Sequence, residues 1–138
     1  MKLQSLVLIT VIFVISSCAT QKKQSIQERF NIKEFVESEK LVSKDSVRIT
    51  KLVNWTPIDT RSLIISSSFK KQFLIDTSSG CFNLRNATQI ALKQRQEYRL
   101  SQSFDSILVS TFHSKEECRI LKIYPITTEQ KQRLVQKH

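Results

Sequence analysis

The chain has 138 residues, a formal net charge of +10, 40% hydrophobic content, three cysteines and one glycine, which sets the expectation of one folded domain rather than two. A charged fraction of 25% beside eight phenylalanines is the composition of a chain that buries a core, not of a disordered one. The single glycine, Gly80, excludes a glycine-rich phosphate cradle, a dinucleotide-binding turn and a P-loop, since each needs several residues without a Cβ.

At the amino terminus Lys2 precedes an apolar run, residues 6–15, then the small Ser16 and Ser17, then Cys18. A run of this length makes about 15 Å of helix, half of the roughly 30 Å that a bilayer core requires, so it reads as an export signal and not as a permanent span. The residues Ile15-Ser16-Ser17-Cys18 resemble the lipobox of bacterial lipoproteins. The resemblance covers the first eighteen residues, and it implies removal of residues 1–17, diacylglyceryl attachment to the Cys18 sulfur and acylation of the new amine by a palmitate-type chain. At about 0.8 kcal/mol per buried CH₂, two or three such chains hold a protein durably on a bilayer. Ala19 in place of an aspartate after the cysteine implies, by the same resemblance, the outer membrane, and residues 19–24 lack the acidic cluster of surface export, which implies a periplasmic face. An ordinary secretory signal with a cysteine near its cleavage site is the alternative.

Loss of residues 1–17 removes one cation, Lys2, and no acid, so the formal charge becomes +9. Two cysteines then remain in an oxidising compartment, and an even remainder predicts a disulfide between Cys81 and Cys118. Closing a loop of that length contributes about 4 kcal/mol on the chain-entropy model. A free reactive thiol at Cys81 is the competing reading. The cations are dispersed over Lys22 and Lys23, Lys70 and Lys71, residues 85–99 and residues 131–137, which describes a solvated basic surface. Its expected partners are the membrane, through the lipid, and an envelope protein or an anionic envelope polymer such as lipopolysaccharide or an acidic wall polymer; nucleic acid is not expected.

Residues 18–24 read as a lipidated tether and residues 25–138 as one globular domain. Ser25 and Glu28 have the capping-box spacing and predict a helix to about residue 41. Residues 47–53, 63–69 and 72–76 are rich in β-branched side chains and predict strands, with Asn54-Trp55-Thr56-Pro57 as the first connection and Lys70-Lys71 as the second. Residues 76–80 form a turn. Asn86 offers a cap, and Ala87, Ile90, Ala91, Gln94 and Tyr98 fall at helical spacing, which predicts a central amphipathic helix. Residues 106–112 and 118–124 predict two strands joined at 113–117 and ended by Pro125, and Thr127 with Gln130 opens a C-terminal helix packed through Leu134 and Val135. The fold class expected is α+β: a small, mostly antiparallel sheet of about five strands, one face covered by the central helix, with helices at both termini.

Candidate chemistry is sparse. Of the two histidines, His138 is terminal and His113 lies in a hairpin loop. Cys81 ahead of the central helix and His113 at a strand end have the general layout of periplasmic Cys-His wall hydrolases, although Gly80 and Phe82 stand where those enzymes carry acidic and hydroxyl neighbours. A metal quartet from His113, Glu116, Glu117 and Cys118 has no matching ligand spacing, and no Gly-x-Ser-x-Gly elbow is present. Asp45-Ser46-Val47 and Asp105-Ser106-Ile107 resemble acceptors of bacterial O-glycosylation. Trp55, Phe69, Phe73, Phe82, Phe104 and Phe112 are expected to fill the core. The function expected is a lipid-anchored, non-catalytic binding or assembly module, without metal or other cofactor, recruiting its partner for example along a free strand edge. A Cys81–His113 hydrolase and an inhibitor or immunity lipoprotein are the alternatives.

Overall fold

The computed structural model describes residues 31–79 and 81–137; the lipobox with Cys18, the capping box at residues 25–28, and His138 lie outside the described residues. Helix α1 (Ile32–Ser38) is followed by strands β1 (Ser46–Arg48), β2 (Asn54–Pro57), β3 (Ser62–Ser66) and β4 (Gln72–Thr77). After a single 3₁₀ turn at Leu84–Asn86 come β5 (Gln89–Lys93), β6 (Arg99–Ser101), β7 (Ser106–Ser110) and β8 (Lys115–Ile126), and helix α2 (Thr128–Gln136) closes the order. The fold is α+β, as the composition and patterning predict. Its antiparallel sheets are a six-stranded one in the order β2-β3-β4-β8-β7-β5 and a two-stranded one, β1 with β6. No helix among the described residues is long and apolar enough to cross a membrane.

The long strand β8 joins the two halves of the larger sheet. Its first half pairs with β7 and its second with β4. Between them the ladder shifts: Asp76 opposes Lys122 while Thr77 opposes Ile120, leaving Leu121 as an extra residue. One inserted residue inverts the parity of everything after it, so Cys118, Ile120 and Ile123 all reach the same core.

Strands β3 and β4 carry almost no exposed position, the pattern of strands covered on both faces. One face sends Leu63, Ile65, Phe73 and Ile75 into the main core, with Ile107, Val109 and Leu100 from the other strands. The opposite face sends Ile64 and Leu74 against Phe35 of α1 and Leu134 of α2. Asn31 caps α1 by accepting from the Lys33 backbone N–H at 3.0 Å, and Thr127 with Gln130 forms the expected reciprocal capping box on α2. The two helices are tied by Glu39, whose carboxylate accepts from Arg133 Nη2 at 2.7 Å and from Gln130 Nε2 at 3.2 Å.

Several expectations change. The segment expected as a central helix, residues 87–98, follows the 3₁₀ turn and carries strand β5 instead, with Ile90 buried and the residues on either side of it exposed. Strand β7 needs a partner along its outer edge, and a ladder from Gln89–Ser110 to Lys93–Ser106 supplies it. Tertiary pairing has thus overridden a helical spacing. The sheet face assigned to that helix is covered by α1 and α2 instead. The expected connection at residues 54–57 is strand β2, where Pro57 is tolerated on an edge. Of the expected strand at 47–53 only Val47 and Arg48 fall in a strand, β1, and they pair in the small sheet. Pro125 does not end β8 but opposes Phe73 within it; the β7 ladder has already stopped at Arg119, so β8 has a strand neighbour on one side only and a missing N–H breaks nothing.

Candidate functional site

Strand register builds the site. On the face covered by the helices, Asn54, Ser66 and Gln72 stand opposite one another across β2, β3 and β4. Thr56, Ile64, Leu74 and Tyr124 make the next row, and Ser62 with Asp76 and Lys122 the row beyond. The centre of the middle row, Ile64 and Leu74, is apolar and packs against the helices. The two outer rows are polar, apart from Ile126 on β8 opposite Gln72, and each contributes to the floor of a concavity.

At the first, the Asn54–Ser66–Gln72 row lies beside α2, from Thr128 to Gln136, and the β3–β4 turn, in a groove of about 550 Å³. Its walls include Val53, Phe69 and Val135. Val53 and Val135 are 56% and 43% exposed although both are aliphatic. On its floor Ser66 and Gln72 are each only 6% exposed, yet Ser66 Oγ and Gln72 Oε1 have no hydrogen-bond partner among the described residues. The Gln72 amide is fixed by its other end, Nε2 donating to the Phe69 carbonyl at 2.8 Å. Lys131 is the ionisable side chain lining this groove, and the exposed Lys70 and Lys71 follow Phe69 on the same turn.

At the second, the Ser62–Asp76 row meets α1 in a cleft of about 650 Å³ lined also by Lys33, Glu37, Asp59 and Arg61. Asp59 Oδ1 accepts from the backbone N–H of Arg61 and of Ser62, both at 2.7 Å, and is occupied with holding the β2–β3 turn. Burial pushes the Asp76 carboxyl above its ordinary range, against the pull of Arg61. Burial, and then the neighbouring Asp76, likewise raise the Tyr124 hydroxyl.

The residues singled out by sequence fall elsewhere. Cys81 and Cys118 are bonded as expected, with Cα atoms 5.3 Å apart. A thiolate at Cys81, on which the hydrolase reading depends, is therefore not available in this structure. His113 lies exposed in the β7–β8 turn, its backbone N–H donating to Thr111 Oγ1 at 3.3 Å. The metal quartet is divided: Glu117 faces outward and pairs with Lys93 at 2.9 Å, while Glu116 lies beside Cys81 and Cys118. Glu116 accepts from the backbone N–H groups of Phe82 at 3.2 Å and Asn83 at 3.0 Å, and the two sulfurs are joined to each other. Asp105 and Ser106 are both buried, the Asp105 carboxylate accepting from the backbone N–H of Arg95 at 2.9 Å and of Ser101 at 2.6 Å. That pattern is thus closed to a glycosyl donor, whereas Ser46 is half-buried at the start of β1.

The aromatic expectation is overturned for four of its six residues. Phe73 is core and Trp55 packs against it, but Phe69, Phe82, Phe104 and Phe112 are 81%, 71%, 67% and 87% exposed. All four stand outside the strands, where none of the described elements covers them; Arg95 lies over the Phe104 ring at 5.6 Å. Val135, expected to pack α2, points into the groove, and Leu134 alone of that pair is buried. Ser66, Gln72 and Val53 escaped sequence reasoning because their meeting depends on register, and the one available hint was a polar residue closing each of two apolar strands. No curated protein and no solved structure matches the chain. A family model described as "Family of unknown function (DUF6491)" matches residues 1–138, the full length, and the chain belongs to that family.

Proposed function

We propose that this chain is a lipoprotein of the bacterial envelope, anchored in the outer membrane through acyl groups on Cys18 and facing the periplasm, and that its folded domain is a non-catalytic binding module. The lipobox resemblance at Ile15-Ser16-Ser17-Cys18 supports the anchor. The observation that carries the binding role is the groove between α2 and the β3–β4 turn. It combines exposed apolar walls with buried polar atoms that lack partners among the described residues, the composition of a ligand site. Among its described lining residues Lys131 is the ionisable one, so neither a nucleophile–base pair nor two carboxylates converge there.

Two measurements test this reading. Intact mass of the membrane-extracted protein should correspond to a chain beginning at Cys18 with added acyl groups, and an unlipidated mass overturns the anchor. Hydroxyl-radical footprinting should then find Phe69 protected in isolated membranes and reactive in the purified protein, with Phe112 as the internal reference. Equal reactivity of Phe69 in both preparations overturns the binding role.

A further inference from the structure

We infer that the ligand of this groove is a single-chain amphiphile with an anionic headgroup, of the fatty-acid class; the inference rests on the groove being the binding site. Three features of different kinds agree. Val53, Phe69 and Val135 come from three separate elements and converge on one concavity, whereas isolated apolar side chains scattered over a surface are ordinary. A volume of about 550 Å³ lies within the roughly 300–1,000 Å³ of small-molecule sites and suits one acyl chain.

The floor contributes the second feature. Ser66 and Gln72 are direct register partners, and their unpartnered oxygens are held in place by the ladder and by the Gln72–Phe69 hydrogen bond. Buried polar atoms normally find partners, and leaving one unmatched is destabilising. A carboxylic headgroup brings an acceptor to which the Ser66 hydroxyl can donate.

Charge contributes the third. Lys131 lines the groove and Lys70 and Lys71 stand on the turn that carries Phe69, while Glu129, the carboxylate of α2, does not line it. The cleft at the opposite end of the same face is lined by the carboxylates of Glu37, Asp59 and Asp76 together with the cations Lys33 and Arg61. Of the two concavities, an anion is therefore favoured in the first, whose one lining charge is positive.

The test uses the full chain in isolated membranes, irradiated with a diazirine-bearing analogue of palmitic acid and mapped by peptide mass spectrometry. Adducts should concentrate on the peptides that carry Val53, Phe69 and Val135. Unlabelled palmitic acid should compete about tenfold better than hexadecanol, the same chain without charge, as expected for one charge-assisted contact. Lys131→Glu should cut labelling by a similar factor, and Val135→Asp, at an exposed position, should abolish it with the thermal midpoint unchanged. Labelling of Phe82, Phe104 and Phe112 as strong as that of Phe69, or equal competition by hexadecanol, overturns the inference. If Phe69 is protected in membranes but takes no label, the ligand belongs to another class, such as a protein strand paired along β2, and the binding reading survives without this one.

Discussion

Ser66 and Asp76 stand on the same face of adjacent strands, four residues apart along the ladder, or about 13 Å. Their surroundings are opposite in kind. Around Asp76 the charges answer one another: Arg61 acts on its carboxyl, and Asp59 is held by two backbone N–H groups. Around Ser66, by contrast, Ser66 Oγ and Gln72 Oε1 are unanswered among the described residues, and the neighbouring side chains are apolar or neutral polar, with Lys131 the one charge. The sheet alone does not make this difference, since both rows are polar. It arises from the helix beside each row: α1 brings Lys33 and Glu37, whereas α2 brings Lys131 and Val135. One surface has become self-contained and the other receptive according to what was laid over it.

The largest perturbation should leave that contrast intact. The Cys81–Cys118 bridge belongs to the main core, on the other face of the sheet, and the double variant Cys81→Ser/Cys118→Ser should lose about 4 kcal/mol in urea unfolding. Its footprint at Phe69 should match that of the parent under folding conditions, and a changed footprint would couple the two faces. Leu134→Ala acts on the contrast itself. It deletes the buried anchor of α2, so a loss of about 3 kcal/mol is expected, together with faster hydrogen exchange in residues 128–136 than in α1. Exchange that rises equally in both helices would show them to open as one unit.

Removing the cap from α2 is gentler. Thr127→Ala forfeits the hydrogen bond to the Gln130 N–H and should cost about 1 kcal/mol, read as a lower thermal midpoint with unchanged strand signals. The smallest effects separate two carboxylates by sign. The Asp76 pKa is raised in the fold by burial, so its stability contribution is complete in acid and is lost as pH rises through the folded pKa. Asp76→Asn should flatten the stability profile over that interval. Hydrogen bonds from Arg133 and then Gln130 lower the Glu39 pKa, so its contribution is present above the ordinary carboxylate range and is lost as pH falls through the folded pKa. Glu39→Gln should therefore weaken the protein slightly at neutral pH and not in acid. Both variants shifting the profile in one direction would contradict this assignment of environments.

Much of the frame was legible beforehand. The apolar runs around Ile64, Leu74, Ile107 and Ile120 announce strands because few other arrangements bury β-branched side chains so fully. The Thr127–Gln130 box is a local event, decided by residues three apart. Cysteine parity was enough to pair Cys81 with Cys118 once the amino-terminal cysteine was assigned to lipid. Residues 87–98 were misleading for a physical reason: Ile90 and Leu92 also alternate, and the choice between the two periods belongs to β7, which offers a free edge.

By itself, then, the sequence determined the α+β class, four of the strands, the cap of the last helix and the disulfide, all of which follow from composition, short-range spacing or residue parity. Tertiary structure alone decided which phenylalanines stay outside the core, that β8 changes parity at Leu121, and that Ser66 meets Gln72 beside Val53 and Val135. Each of these depends on register and on which helix covers which row. Those are long-range choices, settled by burying the most apolar surface across the whole fold and carried by no local stretch of the chain.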